Sequence, residues 1–271
     1  DPDRAGAGGI RARPADPAHT LEEFSERLAR VPLVAQPGAR WIYGPSVDVQ
    51  ARLAERLSGK PFAQLMRERV LDPLGMHDTS YLVPEAKRVR MAAIYKLEGD
   101  TFTRGRADEF PTLNTEAWTF TPGGFGLVST LDDYMRFARM LVGGGQVDGV
   151  RILKPETVAL MATDALPPQV VDRSWLPGKG QVGFGIDFAV RHAPPADAAE
   201  ASGAVGEFFW DGYANTLFWI DPRNDIAAVL FTQYLPPGGT GLHKAFRDAV
   251  YLHDEEASAA NKPPRALPGG L

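Results

Sequence analysis

Two apolar runs dominate the hydrophobic pattern of the chain, at residues 208–222 and 226–233, and a turn of Pro, Arg, Asn and Asp joins them. Both runs are rich in β-branched and aromatic residues, so they predict a β-hairpin. Because nearly every position is apolar, both faces of these strands should be covered, as in a central sheet packed by helices. Gly212, near the start of the first run, is expected to let a ligand approach the backbone closely.

Apolar residues at helical spacing predict several helices before the hairpin and one after it. Thr20 is a candidate N-cap for the first helix, since two glutamates follow in its first turn. Ser46 is a candidate N-cap for the second, in which Val49, Leu53 and Leu57 share one face. The other helices are predicted over residues 61–71, 131–142, a short segment from 154, and 242–252. Ser129-Thr130 is a capping position before the helix over 131–142.

The alternation of Phe184, Ile186 and Phe188 predicts one strand over residues 182–191. The expected fold is α/β in the broad sense (α+β), with a mainly antiparallel sheet flanked by helices and a helical lobe. Four parts are predicted: a loop or arm (1–19), a mainly helical lobe (20–163), a sheet portion with the central hairpin and last helix (164–256), and a tail (257–271).

Composition excludes several classes of protein. With 271 residues, 44% apolar and 23% charged, the chain is typical of a soluble globular protein with a large core. A net charge of −5 without a basic stripe argues against nucleic acid as a partner, and no apolar run approaches the ~20 residues of a membrane helix. The absence of cysteine excludes disulfides and thiol catalysis, and it leaves the compartment undecided between cytoplasm and periplasm.

Common catalytic and cofactor motifs are also missing. The five histidines are scattered without metal-ligand spacing, so neither a metal nor a cofactor is expected. The glycine-rich bend around Phe125 fits neither a dinucleotide fingerprint nor a phosphate loop, and no Gly-x-Ser-x-Gly nucleophile elbow occurs. Taken alone, Tyr43 and Trp210 are more typical of core or interface residues than of a site.

In order along the chain, however, four segments resemble the class C β-lactamase-like serine hydrolases, which include family VIII esterases, D-aminopeptidases and relatives of penicillin-binding proteins. The resemblance extends over residues 20–252. Its most specific part is the stretch Pro-Leu-Gly-Met-x-Asp-Thr and its order relative to the tyrosine. The segments lie at residues 41–48, 73–79, 123–134 and 210–222.

The resemblance implies a penicillin-binding-protein-like fold and a catalytic role for two tyrosines. Tyr43 corresponds to the family tyrosine that exchanges a proton with the nucleophilic serine. Trp210-Asp211-Gly212 corresponds to the third motif, after which the Tyr213 N–H supplies half of the oxyanion hole. Phe125 and Ser46 are the other expected substrate-binding residues, with Phe125 and Trp210 forming the pocket wall.

Two departures from the family pattern favour its esterase branch. Pro45 stands near the position where lactamases have an asparagine, so no side-chain amide is offered there to a β-lactam. Trp210 replaces the lysine of the third motif, which removes the cation expected to bind a β-lactam carboxylate. The expected substrate is therefore a small ester or amide.

The nucleophile motif of the family, Ser-x-x-Lys, is absent: no lysine of the chain has a serine three residues before it. In the family this motif lies upstream of the tyrosine. Three explanations are open: an N-terminal fragment on a separate chain carries the serine and lysine, the sequence is a truncated or renumbered form of a longer protein, or the chain is a non-catalytic relative. We therefore expect a serine hydrolase completed by that fragment, with a β-lactamase or D-peptidase and a binding or scaffold protein as alternatives.

Overall fold

The computed structural model of the protein describes residues 19–105, 114–173 and 176–258, without side-chain detail at 252–258. The predicted arm (1–19) and tail (257–271) lie almost wholly outside the described residues. The strands are β1 (Tyr95–Glu98), β2 (Thr101–Arg104), β3 (Gln146–Val147), β4 (Val150–Arg151), β5 (Val182–Phe184), β6 (Ala189–Arg191), β7 (Phe208–Asp211), β8 (Leu217–Asp221), β9 (Ile226–Leu230) and β10 (Tyr234–Leu235).

A five-stranded antiparallel sheet, in the order β5-β6-β7-β8-β9, forms the centre of the molecule. A smaller sheet joins β10 to β1 in parallel and β1 to β2 antiparallel, while β3 and β4 form a short hairpin. The predicted fold class, a mainly antiparallel sheet with flanking helices, is confirmed. The division into a helical lobe and a sheet portion stays a prediction, and β1–β10 pairing connects its two parts.

The caps predicted from Thr20 and Thr130 are confirmed, whereas Ser46 is not an N-cap: it is the first residue of its helix, and Pro45 occupies the cap position without a side-chain hydrogen bond. Thr20 and Glu23 form a capping box, in which each side chain accepts from the other residue's backbone N–H, and Thr130 accepts from the N–H of Asp133. The helices are α1 (Leu21–Leu28), α2 (Ser46–Ser58), α3 (Phe62–Met66, continued by a π turn over Arg67–Leu71), α4 (Leu131–Val142), α5 (Pro155–Met161) and α6 (Leu242–Ser258), with 3₁₀ turns at Glu85–Arg90 and Leu176–Lys179.

Helices cover the two faces of the sheet, which explains why every residue of β8 is buried. On one face, Phe218 packs against Tyr134 of α4, with ring centroids 5.3 Å apart. On the other face, Trp219 packs against Phe246 and Tyr251 of α6 at 5.4 and 6.3 Å. The prediction of a strand covered on both sides is therefore confirmed for β8, whereas β9 lies at the edge of the sheet and is mostly half-buried.

Two predicted strands are interrupted by turns. The run 208–222 consists of β7 and β8, separated by a turn in which Asn215 has a φ of +65°. The stretch 182–191 is likewise a hairpin of β5 and β6, closed by a hydrogen bond from the Gly185 N–H to the Phe188 carbonyl and by Asp187 at a φ of +60°. Ile186 lies in this turn, so the alternation of apolar residues extended across a chain reversal rather than along one strand.

The apolar face predicted for α2 is exposed. Val49, Leu53 and Leu57 face away from the described core, whereas Asp48 and Ala51 are buried. The reason is the glycine-rich bend, which covers the opposite side of the first turn of α2: a Cβ on Gly123 would lie 2.3 Å from the Val47 carbonyl oxygen.

Candidate active site

Tyr43 lies in a cluster of four aromatic side chains that come from three separate segments of the chain. Its ring centroid is 5.4 Å from that of Trp210 and 6.3 Å from that of Trp41. Phe184 closes the group, at 5.0 Å from Trp41 and 5.3 Å from Trp210. The fold thus brings together Tyr43 and Trp210, two residues that the family resemblance assigns to different catalytic motifs.

The segment before α2 holds Tyr43 at the surface of this cluster. The Trp41 N–H donates to the Asp172 carbonyl at 2.8 Å, and Arg40 pairs with the Asp172 carboxylate at 2.9 Å. Because both bonds lie just before Tyr43, they position its backbone on the loop that leads to β5. Tyr43 remains 49% exposed, and Ser46, the first residue of α2, is also exposed.

The third predicted motif forms a tight turn at the end of β7. Within it, the Gly212 N–H donates to the Thr216 carbonyl at 2.9 Å, and the Asn215 N–H donates to the Gly212 carbonyl at 3.0 Å. A Cβ on Gly212 would lie 2.2 Å from the Thr216 hydroxyl oxygen, so a larger residue would have to displace that hydroxyl. Across the described residues, the Tyr213 N–H makes no backbone hydrogen bond, which leaves it available as a donor.

Asn215 holds this turn in place, and the sequence analysis missed it. Its buried side-chain amide donates to the Tyr234 carbonyl at 2.8 Å and accepts from the Gly238 N–H at 2.6 Å. Its own backbone carbonyl oxygen lies 2.9 Å from the His243 Nε2, within hydrogen-bond distance. The only signal in the sequence is an asparagine after Gly-Tyr-Ala, which is common in turns and does not reveal the distant partners.

Lys179 is the second residue of the site that sequence reasoning missed. Its ammonium donates to the Asp211 carboxylate at 2.5 Å and lies 4.8 Å from the centre of the Trp210 ring. The replacement of the motif-three lysine by Trp210 therefore does not remove positive charge from this region, because a lysine from the preceding 3₁₀ turn supplies it. Asp211 is placed as half of this ion pair.

Phe125 lies apart from the aromatic cluster, on the bend over the N-terminus of α2. It is 45% exposed, and the ring contact it makes in the described part of the chain is with Phe120, at 6.3 Å. The Gly124 N–H donates to Asp48 of α2 at 3.0 Å. The bend is therefore tied to the helix that follows Tyr43, but no direct contact places Phe125 against Trp210.

The contact between the glycine-rich bend and α2 involves the Asp48 carboxyl, so its contribution to stability should depend on pH. Burial raises the pKa of its carboxyl above the ordinary value of 3.8, although hydrogen bonds from the Gly124 and Gly123 N–H groups oppose the shift. A raised folded-state pKa contributes stability below the unfolded-state pKa, and that contribution is lost as pH rises through the folded-state pKa. An asparagine side chain cannot titrate, so we expect the free energy of unfolding of Asp48→Asn, relative to wild type, to increase as the pH rises from about pH 4 through the folded-state pKa of Asp48.

Urea unfolding of both proteins across this pH range measures the difference. Asp148→Asn, the same change at an exposed carboxyl paired with Arg139, is the matched control. A relative stability of Asp48→Asn that stays flat or decreases with pH would contradict the prediction.

No group of three His, Asp or Glu side chains within the described residues could hold a metal ion, and no helix they form is long and apolar enough to cross a membrane. A cavity of about 450 Å³ lies elsewhere, between α3 and residues 116–127, and Phe120 and Leu127 line it. The aromatic cluster around Tyr43 is a partly exposed wall outside that cavity.

Comparison with known proteins identifies the family. The chain belongs to the β-lactamase family, whose sequence model matches residues 4–253. It is 39% identical over 212 residues to Protein Rv1367c of Mycobacterium tuberculosis, covering 77% of this chain and 52% of that protein. It is also 30% identical over 270 residues to Esterase EstB of Burkholderia gladioli, covering 92% of this chain and 63% of EstB.

Solved structures agree with the fold. EstCE1, described as a hydrolase with promiscuous acyltransferase activity, superimposes with a TM-score of 0.70 at 25% identity, covering 86% of this chain and 62% of EstCE1. Simvastatin synthase LovD of Aspergillus terreus superimposes with a TM-score of 0.71 at 24% identity, over 93% of this chain and 63% of LovD, which supports the fold alone. The chain thus spans between about half and two thirds of the length of these four proteins, and the predicted family is confirmed.

Proposed function

We propose that the protein is part of a serine hydrolase that cleaves small esters or amides through an acyl-serine, with the Ser-x-x-Lys nucleophile supplied by residues outside this sequence. The observation that carries the proposal is the contact between Tyr43 and Trp210, whose ring centroids are 5.4 Å apart. Trp210 lies two residues before Gly212, and the turn there presents the Tyr213 N–H as an available donor. A proton acceptor and an oxyanion donor on neighbouring segments are the parts that acyl transfer requires.

In the proposed reaction, the serine oxygen attacks the substrate carbonyl while its proton passes to the Tyr43 phenolate or, when Tyr43 carries its own proton, is relayed through the Tyr43 hydroxyl to the lysine amine. The Tyr213 N–H donates to the carbonyl oxygen as it becomes an oxyanion. The tetrahedral intermediate collapses to an acyl-serine, and the leaving alcohol or amine takes up the transferred proton. Water then attacks the acyl-serine by the same sequence of steps and releases the carboxylic acid and the serine.

Two surfaces support an additional segment beside this chain. Among the described strands, β9 has a neighbour on one side only, and its residues are mostly half-buried. The exposed stripe of Val49, Leu53 and Leu57 on α2 is a second apolar surface. An open strand edge and an apolar helix face are stabilised when another element covers them, as a fragment carrying the nucleophile would do.

The aromatic wall supports a neutral, apolar substrate. Trp41, Tyr43, Phe184 and Trp210 offer ring surface for an acyl chain, and Lys179 next to them is already paired with Asp211. Relatives include proteins named Esterase EstB and Lovastatin esterase, the latter 26% identical over 266 residues. Hydrolysis of an apolar ester is therefore preferred over that of a β-lactam or a D-peptide.

Acyl transfer to an alcohol is a second candidate function. Relatives named Monacolin J acid methylbutanoyltransferase, from Aspergillus terreus, match 88% of this chain at 27% identity. A partly exposed aromatic wall can bind an apolar alcohol in place of water. Adding an alcohol during ester hydrolysis distinguishes the two functions: formation of a new ester supports transfer, and unchanged release of acid supports hydrolysis.

The proposal is tested by labelling with a fluorophosphonate probe. The protein is purified from its source cells with everything that remains bound to it, and intact masses are measured before and after labelling. We expect one probe mass on a serine that belongs to a Ser-x-x-Lys segment, on the same or another polypeptide, and ester hydrolysis that stops in parallel. A probe on a serine of residues 1–271, or hydrolysis without labelling, would contradict the mechanism.

The same material distinguishes the remaining alternatives. Acylation by a penicillin would favour a β-lactamase or D-peptidase, because an esterase with this aromatic wall is expected to react poorly with it. If neither probe labels any polypeptide and no ester is cleaved, the protein is a binding or scaffold relative and the catalytic proposal is refuted.

A further inference from the structure

We propose that Lys179 is a positioning residue of the candidate site, which holds Trp210 against Tyr43 and fixes the start of the turn that presents the Tyr213 N–H. One ammonium contacts two consecutive residues of β7: it donates to the Asp211 carboxylate at 2.5 Å and lies 4.8 Å from the centre of the Trp210 ring. The kinetic part of this inference rests on the proposed function, whereas its structural part does not.

The location of the pair makes it stronger than a typical surface salt bridge. The Lys179 side chain is only 12% exposed and that of Asp211 is 28% exposed. Partial burial reduces screening by water, so both the ion pair and the cation–π contact are stronger than on an open surface. The Lys244–Asp248 pair on α6 has the same length, 2.5 Å, but the lysine there is 39% exposed.

In the described part of the sheet, the end of β7 that carries Trp210 and Asp211 pairs with a neighbouring strand on one side only. The last residue of β7 that pairs with β6 is Phe209, opposite Ala189, so Trp210 and Asp211 extend beyond β6 and pair with β8 alone. Lys179 reaches them from the 3₁₀ turn Leu176–Lys179, which immediately precedes β5. A single lysine thus connects the loop before β5 to the unpaired edge of the third motif.

Two consequences follow for the site. The Trp210 ring has the Lys179 ammonium, the Tyr43 ring and the Phe184 ring as neighbours, so loss of the ammonium lets the indole reorient next to Tyr43. Asp211 directly precedes Gly212, so loss of the ion pair with Lys179 also removes a contact that fixes the first residue of the tight turn. Small displacements of catalytic groups reduce rates strongly, because the reaction needs aligned atoms.

The structural part is tested on the purified protein, together with any polypeptide that remains bound to it, by fluorine NMR with 5-fluorotryptophan at the five tryptophans of this chain. Trp210→Phe assigns the Trp210 resonance. In Lys179→Met, which keeps an apolar side chain of similar length, we expect the Trp210 resonance to shift and broaden more than that of Trp219, which packs against α6. Lys179→Arg should keep the resonance near its wild-type position. Lys244→Met removes the matched pair on α6 and should leave Trp210 unchanged.

The kinetic part uses the same purified, ester-cleaving material before any probe is added. Lys179→Met is expected to lower kcat/KM for neutral esters by about 10- to 100-fold, mainly through kcat, and Lys179→Arg to restore most of it. Asp211→Asn breaks the same ion pair and keeps the side-chain shape, so it should reproduce part of the loss. This second variant keeps the test decisive if Lys179→Met folds poorly.

Several results would overturn the inference. One is an unchanged Trp210 resonance in Lys179→Met, and another is an equal perturbation of all five tryptophans, which indicates general destabilisation. A loss confined to esters that carry a carboxylate would make Lys179 a substrate-binding cation instead. If the wild-type material cleaves no ester, the proposed function fails, and the NMR comparison still decides whether Lys179 positions Trp210.

Discussion

Tyr43→Phe is expected to lower kcat/KM for ester cleavage by about 10²- to 10⁴-fold, because removal of one hydroxyl eliminates the proposed proton acceptor. The phenylalanine ring can keep the packing contacts of the tyrosine ring with Trp210 and Trp41, at 5.4 and 6.3 Å. The aromatic wall and the fold should therefore persist. The loss should appear mostly in kcat, since the substrate meets the same apolar surface.

Steady-state kinetics and fluorophosphonate labelling rates measure this effect in parallel, with thermal unfolding as the test of folding. Tyr95→Phe is the matched control, because Tyr95 is another half-exposed tyrosine, on β1 in the smaller sheet. It should retain wild-type rates. A Tyr43→Phe protein that keeps its labelling rate would remove Tyr43 from the chemistry and leave it as a packing residue.

Of the substitutions considered for stability, Glu207→Gln is expected to cause the largest loss, about 3–5 kcal/mol in the free energy of unfolding. The Glu207 side chain is fully buried, and its Oε1 accepts from Arg191 at 2.9 Å and from Arg247 at 2.8 Å. Its Oε2 accepts from the Tyr251 hydroxyl at 2.8 Å. A glutamine has the same shape but no charge, and its amide group presents N–H donors where the native site needs an acceptor.

The two arginines explain why this loss should be large. Arg191 keeps a partner, since its guanidinium also donates to Glu200 at 2.6 Å. Among the described residues, the hydrogen bond that Arg247 retains is a weak one to the Ser202 carbonyl at 3.3 Å, and its guanidinium lies over the rings of Phe209 and Trp219, at 4.5 and 4.6 Å. A buried cation that loses its carboxylate is costly, because neither water nor another charge replaces it.

Urea unfolding followed by circular dichroism measures the change. Asp148→Asn, which neutralises the exposed partner of Arg139, is the matched control and should alter stability by no more than about 1 kcal/mol. If Glu207→Gln and the control lose the same amount, the buried network between the sheet and α6 does not stabilise the fold as argued.

The sequence by itself determined the features that depend on neighbours in the chain. Thr20 and Thr130 cap the helices that follow them, since a cap bonds an amide three residues later. The hairpin of β8 and β9 follows from apolar runs around one turn. The order of short motifs was sufficient for the family, and it singled out Tyr43 and Trp210 from opposite parts of the chain.

Only the tertiary structure decided the features that depend on residues far apart in sequence. The turn between β7 and β8 interrupts an unbroken apolar run, because Asn215 bonds to backbone groups near residues 234–238. Lys179 supplies a cation beside Trp210 although nothing in its local sequence distinguishes it. The exposure of Val49 and its neighbours on α2 depends on which side the glycine-rich bend covers. Local patterns record spacing along the chain, whereas burial and pairing depend on which segments meet in the folded protein.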